Sequence, residues 1–361
     1  MPGLIRIVLG DKHSIILKPD GSVWSTAISP SGDLTPWRFV RSHFVKIMST
    51  GGIAVAAGNG YTIVLKSNGD VWGMGRNSRG QLGDGTKTRR NTFSFLAMVP
   101  FAKAIAAGGT HSMILTEEGG VWVSGWNTYG QLGDGSTTNR CRFFAVMSND
   151  ATAIAAGDFH SMVLKQDGSV WAAGRNNNGQ LGDRTKASIE RFKVIIDTGA
   201  VDIAAGGCHS MVLKQDGSVW GTGWNGYGQL GDGSTKDKFG YKQVFKSGAK
   251  AIAAGNRHSM VLTQNNSVWT TGCNQYGQLG DGSMNISTTF TQVINTGAKA
   301  IAAGVFHSMV LKQDGTIWAA GSNQYGQFGN GAIVSKEHFV VVAPFSHGVG
   351  LYTIDDSEGT I

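Results

Sequence analysis

HSMVLKQDGSVW occupies residues 160–171 and recurs without change at residues 209–220. Variants of the phrase end at Trp24, Trp72, Trp122, Trp269 and Trp318, so successive tryptophans stand 48, 50, 49, 49, 49 and 49 residues apart. A fixed period of this length marks a repeat architecture and has to be read before any local motif. Seven units, at about 4–50, 51–101, 102–150, 151–199, 200–248, 249–297 and 298–350, fill nearly all of the 361 residues. They predict one domain, with the stretch 351–361 available to help close the array.

Within a unit the pattern is that of strands and turns, with no helical period. KAIAAG is a short apolar run, HSMVLK a second strand ended by an Asp-Gly hairpin signal, and SVWAAG a third. A Gly-rich connector such as NQYGQLGDGS then leads to a weaker fourth strand such as FTQVI at residues 290–294. Four antiparallel strands in each of seven units predict an all-β, seven-bladed β-propeller, whose radial closure protects most strand edges. The Ala-Ala-Gly of the first strand suits the crowded axis, so that strand is placed innermost. The first unit is irregular, with STAISPSGDLTP at residues 25–36 where the others carry the connector.

Composition agrees with a folded β array. Glycine is abundant, 54 residues against 6 prolines, and is assigned to turns. Apolar residues at 41% and charged residues at 15% suit a soluble protein with a large core. No run reaches the ~18 apolar residues that span a bilayer, and the N-terminal stretch has neither signal-peptide nor transit-peptide character. The expectation is an intracellular protein, cytoplasmic or nuclear, without a membrane partner. Cys141, Cys208 and Cys273 lack CxxC spacing, which argues against a disulfide framework or zinc knuckle. The net charge of +7 permits an acidic partner without naming one.

The unit AAGxxHSMVLKQDGSVWxxGxNxYGQLGDG resembles the repeat of the regulator of chromosome condensation family, over all seven units. Kelch units share the length but not the GQLGDG tail. The resemblance implies a seven-bladed propeller and leaves several functions open. One is guanine-nucleotide exchange on a Ran-type small GTPase, with chromatin contact, which the founding member performs with one face and an inserted wedge. Unit spacings here vary by only two residues, which leaves no room for such an insertion. The plant ultraviolet-B photoreceptor of the same family places Trp in GWRHT motifs. Asp158, Gly207 and Asn256 stand there instead, although Arg257 keeps the motif's Arg. The plain repeats are also similar to bacterial propeller-type β-lactamase inhibitors, which bind a partner enzyme.

Residues at one phase in nearly every unit are explained by the blade, and those that differ between units are free to serve a surface. By this sorting seven tryptophans are core, and Trp37, Trp126 and Trp224 are left over. Six histidines share a phase (His13, His111, His160, His209, His258, His307) and are read as bonding to backbone within their own blade. The connector aspartates Asp84, Asp134, Asp183, Asp232 and Asp281 are read as Asx-type turns. No H-E-x-x-H, P-loop or G-x-S-x-G motif is present, so no catalytic residue, metal or cofactor is predicted.

Strand alternation aims the turn after the first strand and the connector after the third at one face. The turn contributes Phe159, Arg257 and Phe306; the connector contributes Arg76, Arg79, Trp126, Tyr129, Arg175, Trp224, Tyr227, Tyr276 and Tyr325. Aromatic and Arg side chains dominate binding hot spots. Beyond the connector, units two to five carry a basic rim: Lys87, Arg89 and Arg90; Arg140 and Arg142; Arg184 and Lys186; Lys236 and Lys238. Such a rim suits an acidic protein or nucleic-acid phosphates. The expected function is a monomeric, non-enzymatic protein-binding propeller docking a folded partner on this face. Small-GTPase exchange is the alternative.

Overall fold

The computed structural model describes residues 5–26, 42–343 and 352–353. Seven radially arranged antiparallel sheets make a seven-bladed propeller, with no helix among the described residues. Blade 4 is typical: Ala151–Ala156, His160–Lys165, Val170–Gly174 and Ile189–Ile196 lie side by side in chain order. Six sheets have four strands. Blade 1 has a fifth, because Tyr352–Thr353 pairs in parallel with its outer strand Val45–Met48.

The first strand of each blade lies innermost, and its Ala-Gly ends surround a central cavity of about 140 Å³. Close approach explains the glycine there. A Cβ on Gly157 would stand 2.3 Å from the His160 ring and 2.5 Å from the Gly206 carbonyl of the next blade. These glycines therefore answer blade-to-blade contact rather than turn conformation, unlike the hairpin glycines, where Gly168 has φ +77°. That hairpin has a three-residue loop: Lys165 N donates to Ser169 O, and Asp167 Oδ1 accepts from Ser169 N. Only its last residue is left-handed, the pattern of a type I turn with a glycine bulge.

The second strand, HSMVLK, is buried along nearly its whole length, so it reads as a continuous apolar run rather than an alternating one. The cores lie between blades. Met113, Leu115 and Val123 of blade 3 pack on Val163, Ala173 and Phe192 of blade 4. Trp24 is buried in the core between blades 7 and 1, whereas the other six repeated tryptophans are half-buried and cap their cores rather than fill them. Trp171 is half-buried, donates Nε1 to Ser169 Oγ, and lies under Lys165 Nζ at 4.5 Å.

The histidines correct the sequence reading, since each bonds to the next blade and not to its own backbone. His111 Nε2 meets Ser161 Oγ, His160 meets Ser210 and His258 meets Ser308, each at 2.8 Å. Ser161 donates its proton to Gln131 O at 2.7 Å. The imidazole must then donate from Nε2, and it keeps a bare, buried and unpartnered Nδ1. The final blade meets the first in the same way: His307 Nε2 to Ser14 Oγ at 2.8 Å, and Gly331 N to Ser42 O at 2.9 Å.

Candidate functional site

The variable face is built on connectors that knit themselves together. In blade 3 the buried Asn127 accepts Leu132 N on Oδ1 at 2.9 Å, while its Nδ2 reaches Asp134 Oδ1 at 3.0 Å and Ser136 O at 2.9 Å. Asn77, Asn176, Asn225, Asn274 and Asn323 repeat the hub. Gln131 Oε1 holds Tyr129 N at 3.0 Å. Asp134 Oδ1 accepts Ser136 N at 3.0 Å, the Asx turn expected from the sequence. Turn and connector are bonded together: Arg175 N donates to Phe159 O at 2.9 Å and Trp224 N to Cys208 O at 2.8 Å. They accordingly emerge at one end of the blade. A Cβ on Gly174, φ +113°, would lie 2.5 Å from the Phe159 carbonyl, so only glycine joins them.

The connector rings pack on the turn of the next blade, with Tyr129 and Tyr276 each meeting a Phe 30 residues on. Trp126 and Tyr129 meet Phe159 edge-on, with ring centroids 5.4 and 5.8 Å apart. Arg79 lies over Trp126 at 5.0 Å, and Arg175 over Tyr129 at 5.2 Å and Phe159 at 5.6 Å. Five predicted residues thus form one cation–aromatic cluster across blades 2 to 4. A second joins Trp224 and Tyr227, 5.4 Å apart, beneath Arg257 at 5.5 and 5.3 Å. Tyr276 packs on Phe306 at 5.1 Å, and Tyr325 lies under Lys12 at 4.6 Å. Arg76 stays apart and exposed, its Nε 3.4 Å from Ser78 Oγ. Trp37 lies outside the described residues.

Sequence sorting passed over the residues at the mouth of the central cavity, Asp11, Asp158 and Asn256, and also Lys12. Their signal was the same variable turn, the two residues before each repeated histidine. Asn256 Nδ2 donates to Asp158 Oδ2 at 2.8 Å, across the intervening blade. Burial raises the Asp158 carboxyl, the Asn256 bond lowers it, and nearby Asp11 raises it further. Cys208 is pushed up to about 11 by burial and by Asp158, against the pull of Arg175 and Arg257.

The basic rim divides in two. Arg90, Arg140 and Lys238 turn back onto their own connector aspartates, at 2.5, 2.7 and 2.9 Å. Burial pushes the Asp134 carboxyl up, but Arg140, Ser136 and Asn127 hold it below the usual range. Lys87, Arg89, Arg142, Arg184, Lys186 and Lys236 are exposed, Lys186 over the Phe239 ring at 4.7 Å. At the matching loop positions of blades 6 and 7 stand exposed apolar residues, Met284, Ile286, Ile333 and Val334. No group of three or more His, Cys, Asp or Glu among the described residues is placed to hold a metal ion.

A family model described as the RCC1-like domain matches residues 2–244, and the regulator of chromosome condensation (RCC1) repeat matches residues 249–278 and 298–327, with a further repeat model at 265–311. Among solved structures, human WBSCR16 is similar over 90% of this chain and 93% of its own, at 22% identity and a TM-score of 0.78. Prp20p from Saccharomyces cerevisiae, described with its binding properties to Gsp1p and histones, is similar over 83% and 80%, at 22% identity and a TM-score of 0.73. The CRINKLY WD40 ectodomain of the Arabidopsis thaliana receptor kinase ACR4 covers 88% and 94%, at 17% identity and 0.53. At these identities the likeness is one of fold. No curated protein matches in sequence.

Proposed function

Because the chain belongs to the RCC1-like domain family, we propose that it is a non-enzymatic protein-binding propeller that docks a folded partner on its connector face. One observation carries this reading: Arg79, Trp126, Tyr129, Phe159 and Arg175 form a continuous cation–aromatic cluster at loops otherwise rigidified by Asn hubs. Preorganised aromatic and Arg side chains bury much area with little entropy loss on binding. The connectors of blades 2 to 7 share one bonding plan, with no inserted wedge, which favours docking over nucleotide exchange.

The test is the double variant W126A/W224A of the full chain. Capture of a partner from lysate is expected to fall at least about tenfold, the scale of a hot-spot residue, with the melting temperature nearly unchanged. Unfolding of the variant would make these rings core and overturn the assignment. Accelerated release of labelled GDP from a Ran-type small GTPase would overturn it in favour of exchange.

A further inference from the structure

Strand alternation gathers the hairpins between second and third strands at the end of the propeller opposite the connectors, and beside each hairpin stands a repeated tryptophan. In five blades the lysine that ends the second strand lies over that indole, from Lys66 Nζ at 4.2 Å above Trp72 to Lys312 Nζ at 5.4 Å above Trp318. A hydroxyl two residues before the tryptophan takes the indole proton in five blades, as Ser169 does from Trp171 at 3.0 Å. A cation over the ring face and an acceptor at its edge are thus the ordinary surroundings of this side chain.

Blade 3 lacks both. Thr116 replaces the lysine and Gly120 the hydroxyl, and the half-buried Trp122 indole has no cation, ring or hydrogen-bond partner among the described residues. The residue opposite it on the outer strand is also the smallest of the seven: Ala145 pairs with Trp122, where Val194 faces Trp171, Gln243 faces Trp220 and Val341 faces Trp318. A methyl group is too short to cover the indole. Blade 6 has a threonine, Thr263, in the lysine's place too, but there Ser267 takes the Trp269 proton at 3.0 Å and Phe245 packs edge-on at 5.8 Å. Among the described residues, Trp122 alone of the seven repeated tryptophans is left bare.

The charge of the hairpin changes along with its cover. Where blade 4 reads Lys165-Gln166-Asp167, one cation to one anion, blade 3 reads Thr116-Glu117-Glu118. Both glutamates are exposed and neither makes an ion pair among the described residues, since Lys103 Nζ is engaged on the Glu117 carbonyl at 3.3 Å. Beside them Phe101, whose carbonyl accepts Glu117 N at 2.7 Å, is 68% exposed at φ +57°, a left-handed position where four other blades carry glycine. A bulky side chain held in that conformation is strained and marks a surface put to use. We propose that Trp122, Glu117 and Glu118 form a receptor for a lysine side chain of a protein partner, the incoming ammonium taking over this indole the place that five blades fill with a lysine of their own. The interaction is noncovalent, an ammonium against the ring face held by two carboxylates, with Phe101 offering apolar surface to the flanking chain. The site lies on the face opposite Trp126 and Trp224, so it stands or falls apart from the docking reading.

The probe is hexalysine, titrated at low salt into the full chain beside its fully acetylated counterpart while the indole N–H resonances are followed. In the unmutated protein the Trp122 resonance is expected to move with hexalysine and to stay in place with the acetylated peptide, because acetylation removes the cation. Giving blade 3 the hairpin of blade 4, as T116K/E117Q/E118D/G120S, supplies an internal lysine in a loop this fold already carries, and should weaken binding about tenfold or more. E117Q/E118Q keeps the bare ring and should weaken it about threefold, the scale of exposed ion pairs. A Trp122 resonance that does not move, an equal response to the acetylated peptide, or undiminished binding by either variant would each overturn the receptor. Shifts confined to Trp126 and Trp224 would put the cation on the connector face and overturn it as well.

Discussion

At the scale of single residues the repeated histidines carry the largest pH consequence. His111, His160, His209, His258 and His307 are fully buried, and burial drives these imidazoles down to about 3 or 4. Charging one would add a second N–H at the bare Nδ1, where no acceptor waits. Unfolded histidines take up protons near their ordinary value of ~6.5, whereas the folded ones stay neutral well below it. Stability is therefore complete above about pH 6.5 and falls as pH drops towards the folded values, by about 1.4 kcal/mol per pH unit for each histidine. Urea midpoints at pH 7.5, 6.5 and 5.5 should decline steeply over the last interval, and a flat profile would contradict the neutral ring. Tyr61 shows a stitch without this liability, since its hydroxyl donates to His111 O at 2.5 Å and accepts Ser112 Oγ at 3.1 Å.

At the scale of the element, the connector owes its shape to its asparagine more than to its ion pair. Asn127 is fully buried and is the acceptor for Leu132 N while also donating to Asp134 and Ser136 O, so N127A would strand the buried Leu132 N and unlace the connector. A cost of about 2–4 kcal/mol is expected. The Arg140 side chain is 35% exposed, and solvent screens its pair with Asp134. R140Q should therefore cost under about 1 kcal/mol. Urea denaturation of the two variants checks the order, and its reversal would make the ion pair the keystone. The sequence made the repeat, the strands and the shared end of the loops legible, because those depend on spacing within one unit. What stayed hidden joins units. His160 finds Ser210 fifty residues on, and Tyr129 finds Phe159 thirty on. A pattern read within one unit cannot reveal a partner in the next. Nor does charge counting reveal that Arg90 and Arg140 are answered by their own connectors.

At the scale of the whole molecule, the question is what closes the ring. The blade 7 to blade 1 seam carries the same histidine stitch and connector bond as the others, and its core joins Leu9, Ile16 and Phe44 to Met309, Leu311 and Phe328. All four antiparallel strands of blade 1 come from the N-terminal side of the chain. Tyr352–Thr353 adds only a short parallel strand outside them. Closure by packing and by closure strand make opposite predictions. Phe328 is fully buried in the seam, so F328A should cost about 3–5 kcal/mol, the usual loss for a large core ring. Ending the chain after Ala343 removes the short outer pairing and leaves the seam whole, so about 1–2 kcal/mol is expected, on the scale of one or two net hydrogen bonds. Thermal melts of the two variants decide the matter: a truncation as damaging as F328A would mean that the C-terminal strand, and not the packed seam, holds the propeller shut.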